Sequence, residues 1–310
     1  MCQAVDRTVG KTLGRLRRLP ALECLFPKTV KEAQSLLEEH QGSARVFAGG
    51  TDLLNCMKRR DIAPRYLINL KGIAALDFIT KNKTNGESGG ISIGAVTSLD
   101  DILDSPLVRT LYPVLTDAVS VLGTPQIRNT ASMVGNLCNA LPSADSAPPL
   151  IVLRAKLKII GPEKERTVLV EDFFRGPRET VLGPCELVTE IIIPSPPPAG
   201  SGVYLKHMLR AEGDLAIAGV SVYLTLDSKK EICLDAGIAL GAVAPTPMRA
   251  VKAEDALKGK PLDSHLIETA ASIASEEAKP IDDIRSSAEY RREMVRALTK
   301  RAIQQSLKRA

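Results

Sequence analysis

Apolar residues follow strand and helix patterns from residue 22 onward. Residues 22–25, 44–48 and 65–69 are short apolar runs typical of buried strands. Between the first two strands, Thr29 and Glu32 have the spacing of a helix-capping box, and apolar residues follow at helical spacing. A second helix is predicted to start near Thr51 and Asp52. A strand–helix–strand–helix–strand order predicts a small parallel sheet.

The next part of the chain, residues 77–197, has a different pattern. Short alternating strands are predicted at residues 78–79, 91–93, 155–160, 167–170 and 187–193. Helical spacing covers residues 99–103 and 111–121, and residues 123–149 show little periodicity. The pattern indicates an α+β subdomain with a mostly antiparallel sheet.

A proline-rich segment at residues 194–200 is the strongest linker signal in the chain. After it, residues 203–208, 216–226 and 231–239 alternate like three antiparallel strands. Residues 249–305 have a helical pattern that Pro261 and Pro280 divide into about three helices. The predicted domains are a basic arm at 1–20, subdomains at 21–76 and 77–197, and a C-terminal domain at 198–310.

Composition removes several classes of function. The chain has 310 residues, 44% hydrophobic and 25% charged, as in ordinary globular proteins. Aromatic residues make up only 3%, which disfavours a nucleic-acid reader built on stacked bases. No apolar run is long enough to span a membrane. The net charge of +5 belongs to the two ends, because the body between residues 20 and 285 is net negative.

Cysteine and histidine usage restricts the chemistry further. The six cysteines include no CxxC pair and there are three histidines, so a zinc ribbon, a self-contained iron–sulfur cluster and a Ser-His-Asp triad are all disfavoured. No metal site is predicted. The pattern favours reduced thiols and a cytoplasmic protein.

The first candidate site is a strand that runs directly into Gly49-Gly50 and then into a helix start. Two glycines allow a ligand to approach the backbone closely, and free N–H groups at a helix start suit a phosphate. The spacing is neither GxGxxG nor that of a P-loop. A plain glycine turn capped by Thr51 or Asp52 is the alternative.

The second candidate site is residues 130–145, which are predicted to be a long loop of small and polar residues. Long segments without periodicity inside compact domains are often functional. Asp145 could accept hydrogen bonds from ribityl or ribose hydroxyls. An ordinary surface loop is the alternative, although it would carry more charge and fewer apolar residues.

Taken together, the two segments resemble the FAD-binding medium subunits of molybdenum hydroxylases, the family of xanthine dehydrogenase, carbon monoxide dehydrogenase and 4-hydroxybenzoyl-CoA reductase. The resemblance runs from about residue 22 to the C-terminus. The motifs that carry it are Ala48-Gly49-Gly50-Thr51-Asp52-Leu53, Gln126-Ile127-Arg128-Asn129, Gly135-Asn136-Leu137 and Pro142-Ser143-Ala144-Asp145.

This resemblance implies a two-subdomain FAD-binding fold of the vanillyl-alcohol-oxidase-like (PCMH) type, followed by an antiparallel sheet and a helical bundle. It also implies contacts to FAD. The first pyrophosphate segment would be Val46, Phe47, Ala48, Gly49, Gly50, Thr51, Asp52 and Leu53. The second would be Ser132, Met133, Val134, Gly135 and Asn136. Leu122, Asp145, Val188 and Lys206 would complete the cofactor site.

Two features depart from the family's usual pattern. Val134 stands where a glycine is usual, so the phosphate contact there is expected to be looser or shifted. Cys138 stands alone, without the cysteine-rich insertion of the benzoyl-CoA reductase branch, so an additional iron–sulfur cluster is not expected and Cys138 is predicted to be a small packed residue.

The resemblance further implies an electron-transfer subunit that is not catalytically complete alone. Molybdopterin would be on a large partner subunit and two [2Fe–2S] clusters on a small one, in a dimer of heterotrimers, with FAD passing electrons to an external acceptor. No catalytic acid or base is expected on this chain. The alternatives are a self-contained FAD-dependent reductase of the same fold superfamily and a cofactor-free scaffold.

Overall fold

The first sheet is small and parallel, as predicted. A computed structural model of the protein describes residues 19, 21–84 and 87–310, so the predicted basic arm lies outside the described residues except for Leu19. The first elements are β1 (Glu23–Leu25), α1 (Val30–Glu39), β2 (Ala44–Phe47), α2 (Leu53–Arg59) and β3 (Tyr66–Asn69). The strand order is β1-β3-β2, and both pairings are parallel. Thr29 caps α1 by accepting a hydrogen bond from the N–H of Glu32.

The second sheet is antiparallel and has five strands in the order β4-β5-β10-β6-β7. Its strands are β4 (Ile79–Thr84), β5 (Glu87–Gly94), β6 (Lys156–Ile160), β7 (Glu165–Leu169) and β10 (Leu187–Ile193). A separate hairpin, β8 (Phe174–Gly176) with β9 (Glu179–Thr180), was not predicted. Its strands have three and two residues, which is too short for alternation to be visible.

Six short helices lie between β5 and β6. They are α3 (Leu99–Asp104), α4 (Pro106–Leu111), α5 (Pro113–Ser120), α6 (Pro125–Arg128), α7 (Met133–Cys138) and α8 (Ala147–Val152). The predicted helix over 111–121 is interrupted at Tyr112, because Pro113 disfavours helical backbone at the residue before it. The prediction of a long loop over 130–145 was wrong, since α7 lies there, with α6 before it and α8 after it.

The C-terminal part has an antiparallel sheet in the order β11-β12-β13-β14 and three helices. Its strands are β11 (Gly200–His207), β12 (Ala218–Leu226), β13 (Cys233–Gly241) and β14 (Met248–Arg249), and its helices are α9 (Val251–Leu257), α10 (Ser264–Glu277) and α11 (Ala288–Arg309). Three strands and three helices were predicted. The added strand β14 has only two residues and therefore no detectable period.

Each half of the chain has its own apolar core. One cluster surrounds the five-stranded sheet and the short helices, and the other lies between the C-terminal sheet and α9–α11. The halves are joined where α5 and α8 pack on strands of the C-terminal sheet. Tyr204 on β11 belongs to the first core, so this strand of the C-terminal sheet also packs against the first half of the chain. The fold class is confirmed as α+β. Over the described ranges, no helix is both long and apolar enough to cross a membrane.

Candidate cofactor site

A cavity of about 580 Å³ lies where the turn after β2, the segment around α7 and the start of β10 meet. Its volume is within the range of small-molecule and cofactor sites. The two segments that the sequence analysis singled out therefore face the same space. The predicted residues that line it are Val46, Ala48, Gly49, Gly50, Thr51, Asp52, Leu53, Leu122, Ser132, Val134, Gly135, Asn136, Asp145 and Val188.

Three of the predicted residues do not line the cavity. The ring of Phe47 packs beside Gly50, where a β-carbon on that glycine would collide with it. Met133 is 1% exposed and belongs to the apolar core. Lys206 has a side chain that is 1% exposed and lies behind Asp145. All three support residues that do line the cavity.

The glycine turn is built against the second segment. A β-carbon on Gly49 would lie 2.7 Å from the Cα of Ala131 and even closer to the carbonyl oxygen of Thr130, so no larger residue fits. Gly50 has a φ of +69°, which glycine adopts without strain. Glycines at both positions are therefore required by packing and by backbone conformation, and they bring residues 48–52 into contact with residues 130–131.

The second segment is a capped helix and not the irregular loop that was predicted. The Oγ of Ser132 accepts a hydrogen bond from the N–H of Gly135 at 3.1 Å and caps α7. The amide oxygen of Asn136 accepts a hydrogen bond from Ser146 at 2.6 Å. A one-and-a-half-turn helix is too short for its apolar period to be recognised, and its small residues resemble a loop in composition.

Val134 lines the cavity from within α7 and is 6% exposed. Its backbone is not among the positions with positive φ, so a residue with a β-carbon fits there without backbone strain. The conformation of α7 therefore does not require glycine at position 134. The predicted effect on a phosphate contact stays a prediction.

Asp145 also lines the cavity and lies in a buried polar cluster. Its Oδ1 accepts a hydrogen bond from the Tyr204 hydroxyl at 2.7 Å, and its Oδ2 accepts one from Lys206 Nζ at 2.8 Å. Lys206 also donates to the carbonyl of Val121 at 3.1 Å. Both charged side chains are almost fully buried, so this pair fixes β11 against the segment that precedes α8.

Burial controls the proton affinities in this cluster. It raises the pKa of Asp145, while the charge and hydrogen bond of Lys206 and the hydrogen bond of Tyr204 oppose that rise. Burial, reinforced by the Asp145 carboxylate, raises the pKa of the Tyr204 hydroxyl well above its usual value. Tyr204 therefore remains a hydrogen-bond donor over the whole physiological range.

Cys138, at the end of α7, also lines the cavity. Burial raises the pKa of its thiol to about 12. Since the thiolate is the reactive form, this thiol is unreactive near neutral pH. This position fits the prediction of a small packed residue. Among the described residues, no group of three or more His, Cys, Asp or Glu side chains could hold a metal ion.

Several lining residues were not singled out from the sequence. They are contributed by α2, by the β8–β9 turn and by the loop after β11, and include Cys56, Arg178 and Leu215. Arg178 follows Gly176-Pro177, a turn signal in the sequence, but nothing local indicates that this turn faces the glycine segment. Only the packing of the hairpin on the cavity wall brings Arg178 to the site.

Comparisons with known proteins agree with this geometry. The family described as the FAD binding domain in molybdopterin dehydrogenase matches residues 20–196, and the CO dehydrogenase flavoprotein C-terminal domain matches residues 203–306. The carbon monoxide dehydrogenase medium chain of Afipia carboxidovorans is 33% identical over 284 residues, which are 92% of this chain and 96% of that protein. The putative xanthine dehydrogenase FAD-binding subunit of Escherichia coli is 29% identical over 280 residues, 90% of this chain and 94% of that protein.

A solved structure supports the same assignment. The chain resembles a chain of the carbon monoxide dehydrogenase of Hydrogenophaga pseudoflava that lacks the Mo-pyranopterin moiety of the molybdenum cofactor. The TM-score is 0.89 at 33% identity, covering 94% of this chain and 99% of that one. The sequence and the fold of this chain both match this family over both halves of the chain. The resemblance drawn from the two segments is therefore confirmed. The chain therefore belongs to the family of FAD-binding flavoprotein subunits of molybdopterin dehydrogenases.

Proposed function

We propose that this chain binds one FAD non-covalently in the cavity between the glycine turn and α7. The proposal is supported above all by the close approach of Gly49 to Thr130 and Ala131, which joins the two predicted segments where both line the same cavity. A cofactor with a long polar bridge and an apolar ring system suits a cavity that combines close backbone approach with apolar side chains.

The residues present fit such a cofactor. Backbone groups of the glycine turn and of residues 132–136 would hold its phosphates. Leu122 and Val188 would contact its apolar parts, and Asp145 would orient a hydroxyl group. Phe47, Met133 and Lys206 would act behind these contacts by holding Gly50, α7 and Asp145 in place. When bound, FAD supplies the redox chemistry, and the chain positions it and excludes water.

The proposal extends to the assembly. The chain would work beside a large molybdopterin subunit and a small subunit with [2Fe–2S] clusters, as a relay to an external electron acceptor, in a dimer of heterotrimers. The units 21–76, 77–197 and 198–310 would be its domains. The free thiols of the described cysteines support a cytoplasmic location.

Cofactor content tests the first part of this proposal. Purified protein is expected to be yellow, with about one FAD per chain, and acid or heat should release the flavin into the supernatant. Chromatography of the supernatant identifies the flavin as FAD or FMN. Flavin that stays with the precipitated protein, or a colourless protein that FAD does not reconstitute, would contradict the proposal.

Electron delivery tests the relay. The isolated, FAD-loaded chain should be reduced by dithionite and should remain oxidised with purines, aldehydes, aromatic thioesters or carbon monoxide. After assembly with the subunits encoded beside it, the complex's own substrate should bleach the flavin. Bleaching by substrate in the isolated chain would favour a self-contained flavoenzyme.

A further inference from the structure

The charges that line the cavity are mostly neutralised within the protein. Asp61, Asp145 and Glu186 pair with Arg59, Lys206 and Arg166 at 2.7–2.8 Å, and Asp214 pairs with Arg210. Arg178 is the one arginine or lysine among the described residues that line this cavity. Its side chain has no carboxylate within ion-pair distance among the described residues.

The partner that Arg178 does have is a weak one. Its Nη1 donates to the Sγ of Cys56 at 3.2 Å. A guanidinium carries five N–H donors, while a thiol is a poor acceptor, so most of the hydrogen-bonding capacity of Arg178 remains open on the cavity side. Arg178 is exposed, so its guanidinium is accessible to a ligand that enters the cavity.

The backbone holds Arg178 firmly in spite of this exposure. It lies in the turn of the β8–β9 hairpin with a φ of +65°, which is uncommon for a residue with a side chain. Its N–H donates to the carbonyl of Ala140 at 2.8 Å. Ala140 follows α7, so the hairpin is fixed to the second cofactor segment and its arginine is directed at the first.

The position of the guanidinium relative to the glycine turn follows from Cys56. This residue lies in α2, one turn after Leu53, and lines the same cavity. The charge of Arg178 also counteracts the burial that raises the pKa of Asp52, the residue after Gly50-Thr51. Both observations place the cation beside the turn that carries Gly49 and Gly50.

We propose that Arg178 is a ligand of the diphosphate bridge of FAD. Its guanidinium donates charge-assisted hydrogen bonds to phosphate oxygens, which are much stronger acceptors than the Cys56 thiol. A diphosphate brings two negative charges into a cavity whose other described lining charges, Asp52 excepted, are already paired, and arginine's planar fork suits phosphate oxygens. The inference rests on the proposed function, and it assigns a binding residue outside both glycine-containing segments.

The test compares Arg178→Asn with the wild-type chain in apo form. Asparagine tolerates positive φ better than alanine, so this substitution removes the cation with little backbone strain. FAD and riboflavin are titrated separately by flavin fluorescence. We expect FAD affinity to fall by about tenfold to a hundredfold, as for loss of a hydrogen bond to a charged group, and riboflavin affinity to change less than about twofold. The FAD affinity of the variant should also depend less on salt.

Arg175→Asn is the matched control, because Arg175 is an exposed arginine on the same hairpin that does not line the cavity. Arg178→Lys retains the charge and should keep part of the affinity, and it serves as the informative variant if Arg178→Asn does not fold. Equal losses for FAD and riboflavin, or no loss of FAD affinity in either variant, would overturn the assignment. A wild-type chain that fails to bind FAD would instead refute the proposed function.

Discussion

Among the carboxylates that line the cavity, Asp145 and Asp52 are arranged in contrasting ways relative to a nearby cation, and the two arrangements differ in what they leave for a ligand. Asp145 and Lys206 form a 2.8 Å pair whose side chains are 7% and 1% exposed, and Tyr204 donates to the other carboxylate oxygen. Beside the glycine turn, Asp52 and Arg178 make no direct ion pair, and the guanidinium of Arg178 donates only to a thiol. The first arrangement is closed and holds two parts of the fold together, whereas the second is open and can accept an anion.

This difference shows why charge and proximity to a cavity do not by themselves identify a ligand-binding residue. A buried ion pair is costly to separate, so Lys206 is committed to Asp145 before any ligand arrives. An exposed guanidinium with a weak partner has little to lose when it binds phosphate. Among the cations near this cavity, availability of hydrogen-bond donors therefore separates a structural role from a binding role.

Lys206→Met removes the buried ion pair with Asp145 and should cause the largest loss of stability. Removing the ammonium leaves the Asp145 carboxylate buried without its charge partner, which is expected to cost about 3–5 kcal/mol in the free energy of unfolding. Urea denaturation measures this loss. Lys158→Met is the control, because the ion pairs of Lys158 with Glu165 and Glu190 are partly exposed and should be worth at most about 1 kcal/mol.

A second substitution sharpens the interpretation. Asp145→Asn added to Lys206→Met removes the unpaired charge and should recover part of the lost stability. If Lys206→Met is no more harmful than Lys158→Met, the closed character of the pair is refuted.

Gly49→Ala should disrupt the glycine turn beside Arg178. The new methyl group would overlap the backbone at Thr130 and Ala131, and overpacking of this kind costs about 1–3 kcal/mol. Because the two cofactor segments would have to separate, we also expect reduced FAD content after purification. Gly72→Ala serves as the control, since a β-carbon there meets no atom closer than 3.8 Å. Normal FAD content and stability in Gly49→Ala would show that the segments do not depend on this contact.

Alkaline pH should weaken the closed cluster. The pKa of Tyr204 is raised in the folded state, so its contribution is complete below the unfolded value of about 10 and is lost as pH rises toward the folded value. Tyr204→Phe should cost about 1 kcal/mol at neutral pH and should flatten the decline in stability above pH 10.

Tyr112 provides the comparison for this experiment, because burial raises its pKa to about 12 and it contributes with the same sign. Urea denaturation at pH 8, 9, 10 and 11 separates the two residues when Tyr204→Phe and Tyr112→Phe are each compared with the wild-type chain. Identical pH profiles for Tyr204→Phe and the wild type would contradict the raised pKa of the buried Tyr204 hydroxyl.

Cys138→Ala should have the smallest effect, although Cys138 lines the cavity. A thiol with a pKa of about 12 is almost entirely protonated at pH 8, so it should react slowly with iodoacetamide while the exposed Cys24 reacts quickly. FAD retention should be close to that of the wild type, in contrast to Asp145→Ala. Peptide mass spectrometry measures the labelling. Fast labelling of Cys138, or equal FAD loss in the two variants, would show that Cys138 has a chemical role.

Local patterns predicted the regular part of the fold well. The parallel sheet, the antiparallel sheet around Leu187–Ile193 and the three C-terminal helices all have clear periods or caps, and proline positions marked their ends. The predictions failed where elements are short. The helix over Met133–Cys138 and the hairpin with Phe174–Gly176 contain too few residues for a period to stand out from loop composition.

The residues of the candidate site were predicted from the sequence about as well as the fold was. Glycines that permit close approach, and small polar residues in the second segment, carry local signals, and they led to most of the residues that line the cavity. Lys206 carries no signal that separates a cation facing a ligand from one that is buried behind Asp145. Arg178 depends on a contact between its backbone and Ala140, 38 residues earlier in the chain, that no local pattern encodes.

By itself, the sequence determined the order and type of the longer elements, the glycines of the first turn and the family resemblance, because these properties follow from residue types at short separation. Only the tertiary structure decided which charges are neutralised and which remain open. That outcome depends on burial and on partners from distant segments, such as Lys206 of β11 with Asp145 before α8 and Arg178 of the β8–β9 turn with Cys56 of α2. The free energy of a charge is set by its surroundings in three dimensions, so its role cannot be read from its neighbours in the chain.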